Sequence, residues 1–505
     1  MTSHSPDNDM RDFNLITQPW IPILRHDGRC ELASIETALA AADDIRQFAC
    51  PNPMDRFALL RLFLGVLYWS AGPPPSDFDG TVASLAPALS GCLGTLHRHK
   101  ACFNLLGDGP RFFQDSTVRS KRPEHTVNYL IHEVPSGSNK WHFRHVADMK
   151  DGLCPACCAL GLLRLPVFAT SAGRGKSPGL NSKPPGYVLP VGHSLADTLA
   201  GLWQSLPQNM QLGRPAWDST GHSLPAGGQV PLLDGFTWLP RRVWLADPED
   251  PAAPCACCGR IQPLVRKCVF EGRKIPDSIK WRDPHVIYVP SKKGGETSGI
   301  PIRNAAKEKN IDAESDHWAA CIAALLASPL ARTARPVWII VFCTAQNDKY
   351  LETLEYTVRL PAPDARKGLS DFLEFWRDHS NRLRGQKGLL ARIVDAPANP
   401  HRTAGRPSGA KPSRKHTEIS LLDLFRPQIE AAVSAAVMSD AQSVLAAPAS
   451  DLFAGQYRPV LKTLGSALCP GPAVRAEQLR RRILDAAVPE PPRESSRRKK
   501  KEESQ

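Results

Sequence analysis

Long apolar runs are missing from this 505-residue chain. The best candidate for a membrane span, Phe57 to Trp69, falls short of the roughly 18 apolar residues that a span needs and also carries Arg61, so it predicts a buried helix. The N-terminus, MTSHSPDNDMRDFN, is polar and lacks the apolar centre of a secretion signal. We therefore expect no membrane partner and a cytoplasmic protein, in which thiols stay reduced.

Recognisable catalytic motifs are also missing. GxSxG, HExxH, DxD and HD pairs do not occur in a credible context. Gly-Lys-Ser at 175–177 imitates a phosphate-binding loop, but the motif also requires a glycine five positions before Gly175, which this chain lacks. Four histidines match no ligand spacing: His125, His132, His142 and His145. We expect a protein without a catalytic centre of its own.

The charge balance is basic. Lys and Arg number 63 against 50 Asp and Glu, which gives a net charge of +13. Removing the six positive charges and one Glu of the tail Arg493 to Lys501 still leaves +8 in the rest of the chain. A surplus of this size favours partners that carry phosphates, although a basic run is often only a solvated end.

Cysteine spacing is the sharpest signal. Cys154 and Cys157 form one CxxC pair, and Cys255 and Cys258, followed by Gly259, form a second. Each pair offers two thiolates from one tight turn, and two pairs complete the tetrahedron that Zn²⁺ prefers. The sequence therefore predicts a structural zinc that joins two distant segments. The alternative is a group of buried thiols without metal, and two further cysteines beside the pairs leave the register ambiguous: Cys158 and Cys257.

Hydropathy patterns predict an α+β fold. Phe13 to Ile23 alternates like a strand, and Leu32 to Ala42 has helical spacing with Ser34 as N-cap. A helix is predicted from Cys154 to Thr170, with Pro166 kinking or ending it. Strands are predicted at Val230 to Trp244, Val286 to Val289 and Val337 to Cys343, with Tyr356 to Leu360 as a neighbour of the last.

The length exceeds what one hydrophobic core usually serves, so two or more domains are expected. Composition shifts after Pro361, where helical patterns begin. The predicted parts are a disordered N-terminus over 1–12, a large mixed N-terminal domain with a zinc-stapled core over 13–361, an antiparallel helical bundle over 362–487, and a disordered basic tail over 488–505.

Three local patterns suit nucleic-acid contact, each with a plainer alternative. The segment Gly173-Arg174-Gly175-Lys176 lets the backbone approach a base while its cations reach phosphates, or it is a surface turn. Arg266-Lys267 and Arg273-Lys274 flank a short apolar run, which suggests a hairpin with a basic tip, or solvated charges. Gln346-Asn347 ends a predicted strand, as base-contacting amides or as turn formers.

The order of these features resembles one family, CasA, the large subunit of the type I-E CRISPR surveillance complex Cascade. Beyond the cysteine pairs and the glycine loop, the resemblance rests on several short segments: FNLITQPWIPI from Phe13, RHDG, PRFFQ at 110–114, Ser136-Gly-Ser-Asn139, Phe143-Arg-His145 and the strand before Gln346-Asn347-Asp348-Lys349. It covers about 13–360 by motif, and the remainder by helical character.

The resemblance implies recognition of the protospacer-adjacent motif of double-stranded DNA from the minor groove. The glycine loop corresponds to Gly173, Arg174, Gly175 and Lys176. The family also uses a lysine finger and a glutamine wedge, which unstacks the first base pair. The finger corresponds to Arg273 or Lys274 of this chain. The wedge corresponds to Gln346 and Asn347, with Asn at the position that the family usually gives to Gln. The loop around Asn139, Phe143 and His145 implies contact with the guide RNA and the complex.

The resemblance further implies a C-terminal four-helix bundle and a set of partners. These are the other Cascade subunits (the backbone, the small-subunit dimer and a Cas5-type subunit), the CRISPR RNA, target double-stranded DNA and a helicase-nuclease recruited to cut it. Wedging would separate the first base pair, so that the guide can begin the R-loop. Two alternatives remain at this point: a zinc-containing nuclease or deaminase, and a zinc-stapled scaffold whose charge serves protein contacts.

Overall fold

The computed structural model describes residues 12–122, 125–131, 152–169, 177–181, 187–218, 223–286, 288–290, 296–298, 337–347 and 350–360, the last three ranges and positions 188, 190, 289 and 290 by their backbone alone. The chain divides into two compact units: Met1–Glu308 with Pro329–Thr333 and Val337–Thr357, and Lys309–Ser328 with Ala334–Pro336 and Val358–Gln505. The second unit lies almost wholly outside the described residues, so the predicted C-terminal bundle stays a prediction. Within the described ranges, no helix has the length and apolar character needed to cross a bilayer.

A three-stranded antiparallel sheet opens the described part. Its strands are β1 (Ile21–Arg25), β2 (Cys30–Ala33) and β3 (Ile45–Phe48), in the order β2-β1-β3. Helix α1 (Ile35–Ala40) follows β2, and the Ser34 hydroxyl accepts a hydrogen bond from the backbone N–H of Thr37 at 3.0 Å. The predicted cap at Ser34 is confirmed. The strand predicted from Phe13 begins later, at Ile21.

Helix α2 (Pro53–Ala71) lies at the centre of the core. Asn52 caps it, and Pro53 occupies the first turn, where its missing N–H costs no hydrogen bond. Nearly all of its side chains are buried, including those of Asp55 and Arg61. The prediction of a buried helix is confirmed. Other helices pack around it, with these bounds: α3 (Val82–Arg98), α4 (Pro155–Phe168), α5 (Leu195–Leu202) and α6 (Leu232–Thr237).

A second group of strands comes mostly from the chain after α5, with β4 from the segment before α4. Strands β4 (His125–Thr126), β10 (Lys267–Gly272) and β7 (Arg241–Leu245) form an antiparallel sheet in the order β4-β10-β7. Strands β8 (Glu249–Pro254) and β9 (Ile261–Leu264) form a hairpin. Smaller elements are β6 (Gly228–Gln229) with β11 (Ile279–Lys280), β12 (Tyr288–Pro290) with β13 (Glu296–Ser298), and short 3-10 helices at Lys100–Phe103, Ser116–Val118 and Val127–Leu130.

The strand predicted from Val230 to Trp244 is confirmed only at its end, where β7 begins at Arg241. Earlier in that range lies α6, because Pro231 stands at its N-cap and the apolar run that follows packs as a helix. The prediction of a hairpin with a basic tip is wrong. Arg266-Lys267 and Arg273-Lys274 flank the single strand β10, roughly 20 Å apart along it.

A third sheet has the order β15-β14-β5, from β5 (Tyr187–Val191), β14 (Val337–Asn347) and β15 (Tyr350–Leu360). The strand predicted from Val337 and its predicted neighbour are confirmed. The pairing of β14 with β5 is antiparallel, with Phe342 opposite Tyr187. The described residues therefore form a mixed α/β unit in which one contiguous core runs from Phe13 to Val286.

Candidate metal centre and nucleic-acid interface

The first cysteine pair lies at the start of α4. Cys154 is the N-cap residue, with extended backbone, and its sulfur accepts a hydrogen bond from the N–H of Cys157 at 3.4 Å. Pro155 follows at the first helical position, where no N–H is needed. The helix geometry therefore turns both thiols toward the same point. Helix α4 continues two residues past Pro166, so this proline does not end the helix.

The second pair lies in the turn between β8 and β9. The N–H of Gly259 donates to the carbonyl of Cys255 at 2.9 Å, and the N–H of Cys255 donates to the carbonyl of Arg260 at 2.8 Å. Gly259 has φ +73°, a left-handed conformation that glycine adopts without steric cost. A tight turn of this kind places the thiols of Cys255 and Cys258 on the same side of the turn.

Backbone contacts hold the two turns against each other. Leu153 and Val265 exchange both hydrogen bonds at 2.9 Å, and the N–H of Ala256 donates to the carbonyl of Gly152 at 3.1 Å. A Cβ added at Gly152 would lie 2.5 Å from the carbonyl oxygen of Val265. Only glycine fits at this crossing, because real Cβ atoms do not approach so closely.

The four sulfurs form a compact cluster. The Sγ atoms of Cys154, Cys157, Cys255 and Cys258 all lie within 4.8 Å of one another, and those of Cys154 and Cys258 are 3.7 Å apart. Zn–S bonds of about 2.3 Å in a tetrahedron separate the sulfurs by about 3.8 Å. The four residues fit a tetrahedral metal ion in size and in donor chemistry. Cys158 is excluded, because its buried thiol is directed at the carbonyl of Leu153.

Hydrogen bonds among the four thiols shift their pKa values in opposite directions: the pKa is raised at Cys154 and Cys157 and lowered at Cys255 and Cys258. The thiolate is the form that binds metal. Hydrogen bonds from the Cys154 and Cys157 thiols lower the pKa of Cys255. A hydrogen bond from Cys157 lowers the pKa of Cys258 to about 6. Hydrogen bonds between the Cys157 thiol and the neighbouring cysteines raise the pKa of Cys157, and the largest contribution comes from the one with Cys154. The Cys157 thiol is the donor in these hydrogen bonds. Within the described part of the chain, no histidine or carboxylate joins the four thiols.

The predicted glycine loop, Gly173, Arg174, Gly175 and Lys176, lies outside the described residues, and so do Asn139, Phe143 and His145. The residues on either side of the glycine loop are described. The N–H of Gly179 donates to the carbonyl of Ala169 at 2.8 Å. The carbonyl of Ser177, immediately after the loop, accepts a hydrogen bond from the guanidinium group of Arg241.

The predicted finger follows the end of β10. The N–H of Arg273 donates to the carbonyl of Pro240 at 3.0 Å, which fixes the backbone there. The side chain of Arg273 is half-buried, and burial lowers its pKa. Lys274 is exposed. Of the two alternatives, Lys274 has the side chain that is free to extend from the surface.

The predicted wedge ends β14. Gln346 and Asn347 are its last two residues, and Phe342 is the last residue of β14 paired with β5. The wedge residues therefore lie four and five positions beyond the part of β14 that pairs with β5, or roughly 13–17 Å along the strand. Their backbone is strand, and β15 begins three positions after Asn347, at Tyr350.

One known protein family matches more than half of this chain. The model of a family described as CRISPR-associated protein Cse1 matches residues 14–310. The chain belongs to the CRISPR-associated Cse1 family. This confirms the resemblance to CasA, since a curated relative from Thermus thermophilus, CasA/Cse1, is 27% identical over 256 residues. That alignment covers 48% of this chain and 50% of the relative, so the chain spans about half the length of the curated relative that it matches.

Solved Cse1 structures share the fold. A crystal structure of Thermus thermophilus CasA has a TM-score of 0.65 at 20% identity, covering 94% of this chain and 99% of that one. Thermobifida fusca Cse1 has a TM-score of 0.61 at 17% identity, covering 95% and 99%. A chain from a structure described as a CRISPR RNA-guided surveillance complex has a TM-score of 0.60 at 15% identity, covering 94% and 99%.

Sequence reasoning missed a buried polar network in this Cse1-family chain. Arg61 Nη2 contacts both carboxylate oxygens of Asp283 at 2.8 and 2.9 Å. Asn181 donates to Asp283 and to the Tyr187 hydroxyl, both at 3.0 Å. Burial alone would raise the pKa of Asp283, but Arg61 and its other polar neighbours outweigh burial and lower it. The network joins α2 to the segment after the glycine loop and to β5.

A second missed pair joins α2 to α4, the helix that carries two of the four clustered cysteines. The Arg164 guanidinium contacts the Asp55 carboxylate at 2.6 and 2.8 Å, with both side chains buried. An arginine inside the apolar run of α4 was the only signal in the sequence. Its partner stands 109 positions away, which no local pattern reveals.

Proposed function

We propose that this chain is the large subunit of a type I-E CRISPR RNA-guided surveillance complex, Cascade, and that it has no catalytic centre of its own. The family match over residues 14–310 carries the proposal. Its partners would be the CRISPR RNA, the backbone, small and Cas5-type subunits, target double-stranded DNA and a recruited helicase-nuclease. Residues 362–487 would form the C-terminal four-helix bundle. The likeness to a chain of a CRISPR RNA-guided surveillance complex supports this assembly.

In this proposal the cysteine cluster holds a structural Zn²⁺. Four thiolates close the tetrahedron, so no position remains for a substrate or an activated water. The alternative of a zinc nuclease or deaminase needs that open position and a neighbouring acid or base. The zinc would join the start of α4 to the β8–β9 turn and keep both in place. Metal analysis of the purified chain tests this, with one zinc per chain expected and none contradicting it.

The chain would recognise the protospacer-adjacent motif from the minor groove. The glycine loop (Gly173, Arg174, Gly175 and Lys176) would approach the base edges, and Arg273 or Lys274 would enter the groove. Gln346 and Asn347 would separate the first base pair. Minor-groove patterns are degenerate, so several short motifs should be accepted. The exposure of Lys274 supports it as the side chain that reaches DNA.

A gel-shift experiment tests the DNA role. Guide-loaded complex is mixed with target duplexes that differ only in the adjacent motif. The double variant Gln346→Ala/Asn347→Ala should bind the permitted target more weakly, and its preference among motifs should shrink.

The chain offers a matched control in a second Gln-Asn pair, Gln208 and Asn209, which is exposed. Since Asn209 has φ +66°, the control is Gln208→Ala/Asn209→Gly, which avoids strain. This variant should bind like the unaltered complex. Equal binding and equal discrimination in the wedge variant would refute the wedge assignment.

A further inference from the structure

The turn between β8 and β9 carries one more cysteine than a four-thiol site uses. Cys257 lies between Ala256 and Cys258 and is exposed. The thiol of Cys157 hydrogen-bonds with both Cys257 and Cys258. Cys257 nevertheless stands outside the set of four sulfurs that all lie within 4.8 Å of one another. A fifth thiol therefore lies at the edge of the cluster, in contact with one of its members.

Cys257 and Cys258 together form an exposed corner of the cluster. Cys258 is the only exposed residue of the four, and Cys257 stands directly before it. On one side of this corner the N–H of Ala256 donates to the carbonyl of Gly152 at 3.1 Å, and on the other side Gly259 has φ +73°. The Cα atoms of consecutive residues are about 3.8 Å apart, so one sulfur can take the place of the other by a rearrangement inside the turn.

The first cysteine pair also has an extra neighbour, in a different environment. Cys158 directly follows Cys157 on α4, is 0% exposed, and directs its thiol to the carbonyl of Leu153 at 3.8 Å. Consecutive residues of a helix point roughly 100° apart around the axis, so Cys158 reaches the position of Cys157 only if the helix unwinds. Cys158 is therefore a matched control: an adjacent cysteine that cannot replace its neighbour.

We propose that Cys257 and Cys258 are alternative fourth ligands of the zinc, so that the loaded site always presents one unbound thiol to solvent. The inference rests on the proposed structural zinc and adds a residue to that site. The other three cysteines remain ligands throughout. When Cys257 binds, its thiol gives its proton to solvent, and the departing Cys258 thiolate takes one up, so four thiolates face the metal in either arrangement. Zinc does not change its oxidation state, so the exchange needs no oxidant.

Cobalt(II), bound by the purified full-length chain in place of zinc, tests the ligand set, because its absorption spectrum differs between four and three thiolate ligands. Cys257→Ser and Cys258→Ser should each keep the four-thiolate spectrum. The double variant Cys257→Ser/Cys258→Ser should lose it. Its metal affinity should fall by at least about 10–100-fold, since a direct ligand matters no less than the outer-shell partners whose loss costs that much. The matched control, Cys158→Ala/Cys258→Ser, also lacks two cysteines and should keep the four-thiolate spectrum.

The unaltered protein gives a second measurement that does not depend on the folding of any variant. A short pulse of iodoacetamide on the zinc-loaded chain, read by mass spectrometry, should place one label per chain on the exposed corner. The label should be on Cys257 in some molecules and on Cys258 in others. Cys30, which is exposed on β2, provides the reference for a free thiol and should be labelled in every chain.

Three outcomes overturn the inference: a three-thiolate spectrum in Cys258→Ser alone, label confined to one of the two corner cysteines, or two labels on the corner of one chain. Each of them leaves the structural zinc in place. An unaltered chain that binds neither zinc nor cobalt would overturn the proposed zinc and this inference together. If the serine variants do not fold, the distribution of label between Cys257 and Cys258 in the unaltered chain decides.

Discussion

The buried pair of Asp55 and Arg164 gives the most quantitative prediction. Arg164→Met preserves much of the apolar stem but leaves the Asp55 carboxylate buried without its guanidinium partner. Removing one member of a buried ion pair costs about 3–5 kcal/mol, because a desolvated charge remains uncompensated. Both side chains are at most 8% exposed, so water cannot readily replace the lost contacts. We expect a loss in the free energy of unfolding within that range.

Urea denaturation of the purified, metal-loaded chain, followed by tryptophan fluorescence, measures this loss. The double variant Asp55→Leu/Arg164→Met should recover most of the stability, since apolar replacement of a buried ion pair is often neutral or better. The exposed pair Arg29 and Asp27, at 2.6 Å, provides the control, and Arg29→Met should leave the midpoint unchanged. A loss below about 1 kcal/mol in Arg164→Met, or a double variant less stable than the single one, would refute the reasoning.

Three further predictions concern the metal, packing and pH. Cys255→Ser should lower zinc content below one per chain, measured by metal analysis, while unchanged content would contradict the four-thiol site. Gly161→Ala brings a Cβ to 2.6 Å from that of Leu130 and should destabilise the fold by about 1–3 kcal/mol in urea, whereas Gly91→Ala, with open space around it, should not destabilise it. Burial lowers the pKa of His285 to about 3 from 6.5, so the unfolded chain binds a proton first as pH falls. Stability should therefore drop by up to about 1.4 kcal/mol per pH unit below 6.5, and His285→Gln should show a shallower drop in denaturation at pH 7, 6, 5 and 4.

Local features of the fold were predictable from sequence. The cap at Ser34, the buried helix α2 and the strand β14 each depend on a short pattern of residues, and the structure confirms all three. The cysteine pairs belong to the same class, because each pair is a single turn. What remained ambiguous was the choice among neighbouring thiols. The structure resolves the choice by bringing the sulfurs of Cys154, Cys157, Cys255 and Cys258 within 4.8 Å of one another, while the Cys158 thiol is directed at the Leu153 carbonyl.

Nonlocal features were not predictable. The apolar run after Pro231 suits a strand or a helix equally, and packing of Gly235 against Trp281 accompanies the helix. The supposed basic hairpin failed because the partners of β10 are β4 and β7, which are distant in the sequence or separated by another hairpin. The burial of Arg241 gave no signal either, because the Ser177 carbonyl that it contacts stands 64 positions away in the sequence.

The four-thiol cluster also sets an order of events during synthesis of the chain. Cys154 and Cys258 are 104 positions apart, and a ribosome adding about 5–20 residues per second needs roughly 5–20 s to cover that distance. During this interval the emerging chain offers a metal ion two thiolates, too few to close a tetrahedron. If the cluster holds the proposed zinc, capture of the ion would therefore follow translation of the β8–β9 turn.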